Sequence, residues 1–233
     1  MRTYRIEIRL IQLSVVLSAL VVIAGFLGAW GGTKGQETSS GSTNGKSVQT
    51  QTQTQTQTVK KIVALGDSFT YGYPGNQDQS WTTVLQKKSN IAIINKGEGY
   101  QRTIDLLSRF DTDVISEAPD QVIIFGGNGD ALRSIPLEEY QTNIKALVDK
   151  SRSKNITPIL ALPMPYPGVQ KTIKEMRDWM KNYAGAEQIV VLDFASVVMD
   201  KDNNYLDGFS NDKKYPSAKG YEAMGEYAAR VLQ

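Results

Sequence analysis

The 233-residue chain contains no cysteine and no histidine. Without cysteine there is no disulfide framework, no thiol nucleophile and no lipid-modified cysteine. Without histidine there is no imidazole to serve as general base or zinc ligand. Charge of one sign is missing too: 26 Lys+Arg against 24 Asp+Glu leave +2, no electrostatic footprint for nucleic acid, so no nucleic-acid partner is expected. No Gly-rich phosphate loop followed by Lys-Ser/Thr occurs, and no acidic run has calcium-loop spacing. Neither a cofactor nor a metal is implied.

What is present falls into three segments. Residues 1–30 carry Arg2, Arg5 and Arg9, then 21 uncharged residues from Leu10 to Trp30. As a helix that run spans about 31 Å, the thickness of a bilayer's hydrocarbon core. The basic flank predicts a cytoplasmic N-terminus with everything after Trp30 outside. A cleavable signal peptide is the competing reading, but its apolar core is usually shorter, and Leu27-Gly28-Ala29 is a poor cleavage site. The expectation is therefore a single-pass signal anchor in the cell membrane, with secretion if the segment is cut. Residues 31–58 are mostly Gly, Ser, Thr and Gln and end in a Gln-Thr alternation with two polar faces. Such a stretch buries too little apolar surface to offset its ordering entropy, so a disordered tether is expected.

Residues 59–233 are a comfortable size for one domain with a full core. Strand-length apolar runs recur at Lys61–Leu65, Ile91–Asn95, Gln121–Phe125, Pro158–Leu162 and Gln188–Leu192. Helical patterns lie between them at Trp81–Ser89, Thr103–Glu117, Leu137–Asn155 and Val169–Ala184, and Ser217–Leu232 closes the chain. Strand alternating with helix predicts an α/β fold, a parallel sheet covered on both faces, with ligands at the carboxyl ends of its strands. Three polar turns converge there: Gly66-Asp67-Ser68-Phe69-Thr70, Asn95-Lys96-Gly97-Glu98-Gly99 and Gly126-Gly127-Asn128-Gly129-Asp130. A serine in a tight strand-to-helix turn presents its hydroxyl to solvent and its own N–H to a developing oxyanion.

In chain order, these turns resemble the SGNH (GDSL) hydrolase family across essentially all of residues 59–233. Ala64–Thr70 resembles the nucleophile block, which implies Ser68 as nucleophile. Asn95-Lys96-Gly97 resembles the second block, implying the Gly97 N–H as an oxyanion donor beside that of Ser68. Gly126–Arg133 is similar to the third block, where an asparagine completes the oxyanion hole, here Asn128. Asn211–Tyr221 is similar to the last block, in which an aspartate, here Asp212, is followed three residues later by a histidine before a proline. The resemblance implies a three-layer α/β/α sandwich with a flavodoxin-like parallel sheet and a lipase- or acylhydrolase-type esterase acting on an acyl ester.

The pattern breaks at two positions. The family histidine falls on Tyr215, and no other histidine exists to replace it. A phenol with a pKa near 10 is protonated at neutral pH and is no general base for a serine. Aligned without gaps, the third block puts Gly129 at the asparagine position and Asn128 one residue early. Lys213 and Lys214 are the substitute bases to consider, although two adjacent lysines in a polar stretch read as a solvated face. Three readings stay open. One is a membrane-tethered extracytoplasmic serine esterase, impaired for want of histidine. Another is a non-catalytic domain that binds an envelope ligand or partner, with Tyr71, Tyr73, Trp81, Tyr100 and Tyr166 near the cleft. The third is an active enzyme in which Tyr215 is a substitution. Asp67 reads as a brace of the nucleophile turn, and Asp193 and Asp207 are assigned no chemistry.

Overall fold

A computed structural model describes residues 59–233; the anchor expected over residues 1–30 and the tether expected over 31–58 lie outside them. Five strands, β1 (Lys60–Gly66), β2 (Ile91–Gly97), β3 (Gln121–Phe125), β4 (Thr157–Ala161) and β5 (Val190–Leu192), form one sheet in the order β2-β1-β3-β4-β5. All neighbours pair in parallel. The helices are α1 (Ser68–Tyr71), α2 (Trp81–Lys88), α3 (Thr103–Ser108), α4 (Phe110–Asp113), α5 (Asn128–Leu132), α6 (Leu137–Ser153), α7 (Gln170–Ala186), α8 (Ala195–Val198) and α9 (Ala218–Leu232). Among the described residues no helix is long and apolar enough to cross a membrane.

Beyond their polar first residues, the central strands β1, β3 and β4 are apolar and buried at every position up to their carboxyl ends, because both of their faces are covered. Period-two alternation then divides each strand between two cores. Ile62, Ala64, Ile123 and Phe125 face one cluster with Trp81, Leu85, Phe194 and Met224. Val63, Leu65, Val122 and Ile124 face another with Leu106, Ile144, Leu147 and Met176. This is the expected three-layer α/β/α sandwich.

One element differs from the sequence expectation. The helix anticipated over Thr103–Glu117 breaks at Arg109 into α3, α4 and a 3-10 turn at Ile115–Glu117. The break has a physical reason in Arg109 itself. Its Nη2 donates to the Gly66 carbonyl at 2.9 Å and its Nη1 to the Lys96 carbonyl at 3.0 Å, tying this segment to the carboxyl ends of β1 and β2. The strand order reverses between β1 and β3. In open α/β sheets that crevice, at the carboxyl ends of the strands, is where ligands bind.

Candidate active site

Ser68 is the first residue of α1, directly after β1, and is buried. Asp67 caps the helix: its Oδ1 accepts the Phe69 N–H at 2.9 Å. The turn is tight enough to demand glycine before it, since a Cβ at Gly66 would lie 2.6 Å from the Phe125 carbonyl oxygen. At the first helical position the Ser68 N–H has no intrahelical acceptor, so it remains available to an oxyanion.

A second backbone donor comes from an unexpected residue. The Tyr100 N–H donates to Ser68 Oγ at 3.1 Å, with Tyr100 held in the left-handed region at φ 61°. Gly97, the donor expected from the second block, is corrected here: its N–H is committed to Asn95 Oδ1 at 2.8 Å. Glycine is needed at 97 for close packing, because a Cβ there would sit 2.2 Å from the Tyr71 nitrogen. Nothing in the letters Gly-Tyr-Gln marked Tyr100, since the direction of a peptide N–H is set by torsions that side-chain identity does not reveal.

Asn128 lines the same cleft as Ser68, at the start of α5. Its amide is locked by a reciprocal pair with Met164, Nδ2 to the carbonyl at 2.7 Å and Oδ1 from the N–H at 2.9 Å. An amide nitrogen carries two hydrogens, so one remains without an acceptor among the described residues. Gly129, which a gapless alignment puts at the asparagine position, backs onto the Gln101 carbonyl, where a Cβ would come within 2.2 Å. The asparagine at the cleft is therefore Asn128.

Tyr215 is buried beside Ser68, in the wall of the same cleft. It sits among rings: Tyr73 at 4.7 Å, Phe69 at 5.1 Å and Tyr166 at 5.6 Å between centroids. Burial pushes its phenol well above the ordinary tyrosine range, and the neighbouring Tyr166 hydroxyl adds to the rise, while the Ser68 hydroxyl pulls the other way. Tyr215 thus stays a neutral phenol at every pH at which a serine needs a base. The free space over Ser68 is about 10 Å³, the room of a single water.

Asp212 does not face an imidazole. Its Oδ1 accepts the Lys214 and Tyr215 backbone N–H groups at 2.8 and 2.9 Å. Burial acts to raise the carboxyl, but those hydrogen bonds and the Ser210 hydroxyl outweigh it and hold the group below the ordinary aspartate value. It closes the turn that presents Tyr215. Lys213 and Lys214 are exposed, and neither lines the Ser68 cleft. Asp67 does line it, with its Oδ2 buried and without a hydrogen-bonding partner. Of the aromatics singled out in the sequence, Tyr100 and Tyr166 line the cleft and Tyr73 packs on Tyr215. Trp81 belongs to the core against Phe194. Arg133, which the sequence did not mark, stands at the cleft wall. Asp193 is ion-paired to Arg177 at 2.7 Å and Lys181 at 3.1 Å. Among the described residues no group of three Asp or Glu side chains is placed to hold a metal ion.

A serine at the carboxyl end of β1, with its own N–H unbonded, the Tyr100 N–H on its Oγ and the Asn128 amide beside it at the β1/β3 crevice, is the arrangement of an SGNH-type fold. The GDSL-like Lipase/Acylhydrolase family matches residues 64–223, and the chain belongs to that family. A solved structure described as a G-D-S-L-family lipolytic protein from Desulfitobacterium hafniense is 57% identical, with a TM-score of 0.73, over 74% of this chain and 99% of that one. Both hydrophobic cores of the sheet lie wholly within residues 59–233, so that portion carries a complete core of its own. Spore germination lipase LipC of Bacillus licheniformis is 26% identical over 201 residues, 71% of this chain and 93% of that protein. Lipoprotein YqeF of Bacillus subtilis, itself uncharacterized, is 32% identical over 119 residues, 45% of this chain. That match spans about half of YqeF, 48% of its length.

Proposed function

We propose that this chain is an envelope-facing acylhydrolase-type protein whose Ser68 cleft engages an acyl ester and whose turnover is severely impaired. The observation that carries the reading is Tyr215: a buried, neutral phenol stands beside Ser68 where the resemblance puts the histidine base, in a chain with no histidine at all. The Ser68 and Tyr100 N–H groups, with the spare hydrogen of Asn128, are the oxyanion donors in this reading. The envelope location draws on the apolar run Leu10–Trp30 and on the lipoprotein relative YqeF. With no cysteine to lipidate, attachment here falls to the apolar run.

The aromatic cage around Tyr215, in the place of a base, favours a second reading, in which the domain binds an envelope ligand without turning it over. Hydrolysis of p-nitrophenyl acetate by residues 59–233, beside Ser68→Ala and Tyr215→His, separates the readings. The unmodified domain is expected to match Ser68→Ala, and Tyr215→His to gain about 10²–10⁴-fold, the contribution of a positioned general base. Fast Ser68-dependent turnover by the unmodified domain overturns the impairment. A Tyr215→His variant that folds and stays silent leaves binding as the function.

A further inference from the structure

A cavity of about 450 Å³ opens next to the Ser68 cleft, and Tyr166 belongs to the walls of both. One wall comes from the segment after β4, with Tyr166 and Gln170. The other comes from the loop between α8 and the Asp212 turn, with Asn203, Tyr205, Asp207 and Lys213. That loop is pinned in place. Asp200 Oδ1 accepts the Asp202 and Asn204 N–H groups, each at 2.9 Å. The Leu206 N–H donates to the Val198 carbonyl at 2.9 Å, and the Tyr205 hydroxyl to the Lys214 carbonyl at 3.3 Å. The cavity is therefore formed before any ligand arrives, and its volume is that of a small-molecule site.

The lining selects the ligand. An acyl chain needs mainly apolar walls, whereas this cavity, beside two prolines and a leucine, collects three amides, one carboxylate and one ammonium. Asn204 bonds Asp200 Oδ2 at 3.4 Å, and Gln170, Asn203, Asp207 and Lys213 make no side-chain hydrogen bond or ion pair with another described residue. The two charges cancel, which disfavours an ionic ligand and leaves donors and acceptors in mixture. Two tyrosine rings supply flat apolar faces. A sugar ring has the complementary chemistry: hydroxyls around its rim and C–H groups on its face.

We propose that this cavity binds a neutral sugar ring, and hence that the substrate class of the Ser68 cleft is an acylated carbohydrate. The second half rests on the acyl-ester reading above and the first does not. Tyr166 is common to the linings of the two spaces, and it packs edge-on against Tyr215 at 5.6 Å. A sugar held on its outer side would present an attached acyl group toward Ser68.

The test is calorimetric titration of residues 59–233 with xylotriose, cellotriose and tri-N-acetylchitotriose, with hexanoate as an acyl-chain probe. At least one sugar should bind saturably. Asn203→Ala and Asp207→Ala, both on the exposed loop, should each weaken it about tenfold, the loss of one hydrogen-bonding contact. Ser68→Ala should leave it unchanged. Three results overturn the proposal: no sugar binding at about 10 mM, where a millimolar Kd nears saturation; binding that neither loop variant weakens; or tighter binding of hexanoate than of any sugar. If a sugar binds while Tyr215→His remains inert toward esters, the cavity assignment stands and the acyl-ester reading falls. If Tyr215→His turns over esters and no sugar binds, only the cavity assignment is lost.

Discussion

Asp67 concentrates the cost of the nucleophile turn in one side chain. Its carboxyl lies behind Ser68 with one oxygen unpartnered, and burial, reinforced by Asp130, pushes it from the ordinary 3.8 up to about 7 against the lowering pull of the Phe69 N–H. Between about pH 4 and pH 7 the folded chain holds a proton that the unfolded chain has released, so stability falls as pH rises through that window and is level above it. The expected drop from this group between pH 5 and pH 8 is about 2–3 kcal/mol. With no histidine and no cysteine, the other described group shifted toward that window is Asp130, also raised by burial, so the Asp67 share is read from the difference between the protein and its Asp67→Asn variant. Asp67→Asn keeps a good cap and should flatten the slope, read by urea denaturation at the two pH values. The same slope in both proteins would contradict the assignment. At this scale the sequence was a fair guide to side chains and a poor one to main-chain groups. Ser68, Asn128 and Tyr215 do meet in one cleft, whereas the N–H facing Ser68 belongs to Tyr100 and not to Gly97.

Among the elements, the site depends on how α3, α5 and α6 are tied together beneath it. Asp130 of α5 is fully buried and accepts the Thr103 N–H at 2.9 Å and the Thr103 hydroxyl at 2.6 Å, capping α3 from outside. Asn143 of α6 donates to the same hydroxyl at 3.2 Å. Asp130→Ala leaves two buried donors unsatisfied and should cost about 2–4 kcal/mol, with Asp130→Asn costing less because its amide oxygen still accepts the N–H. Chemical denaturation of both variants checks this, and equal losses in the two would argue against the capping role. The strands and the longer helices α6, α7 and α9 were visible from apolar spacing alone. The break at Arg109 was not, because it has neither glycine nor proline to announce it and arises from carbonyls on β1 and β2, more than ten residues away.

For the whole described unit, residues 59–233, the two cores share the same strands, and neither can lose its packing without exposing the sheet that supports the other. It should unfold in one transition with matching calorimetric and van't Hoff enthalpies. Two resolved heat-absorption peaks would show that the faces are independent. Alternating buried runs and helical periods were enough to establish a parallel α/β sandwich, since binary patterning follows from local geometry and burial. The order of the turns established the family resemblance, and the composition established that the chain offers no imidazole, because a count of zero histidines admits no exception. Which backbone N–H faces the serine, how closely rings crowd Tyr215, and the cavity built from Tyr166 and the loop of Asn203 and Asp207 arise only when distant segments meet. Those are properties of packing between residues as far apart as 68, 100, 166 and 207, and no local pattern in the chain encodes the distances between them.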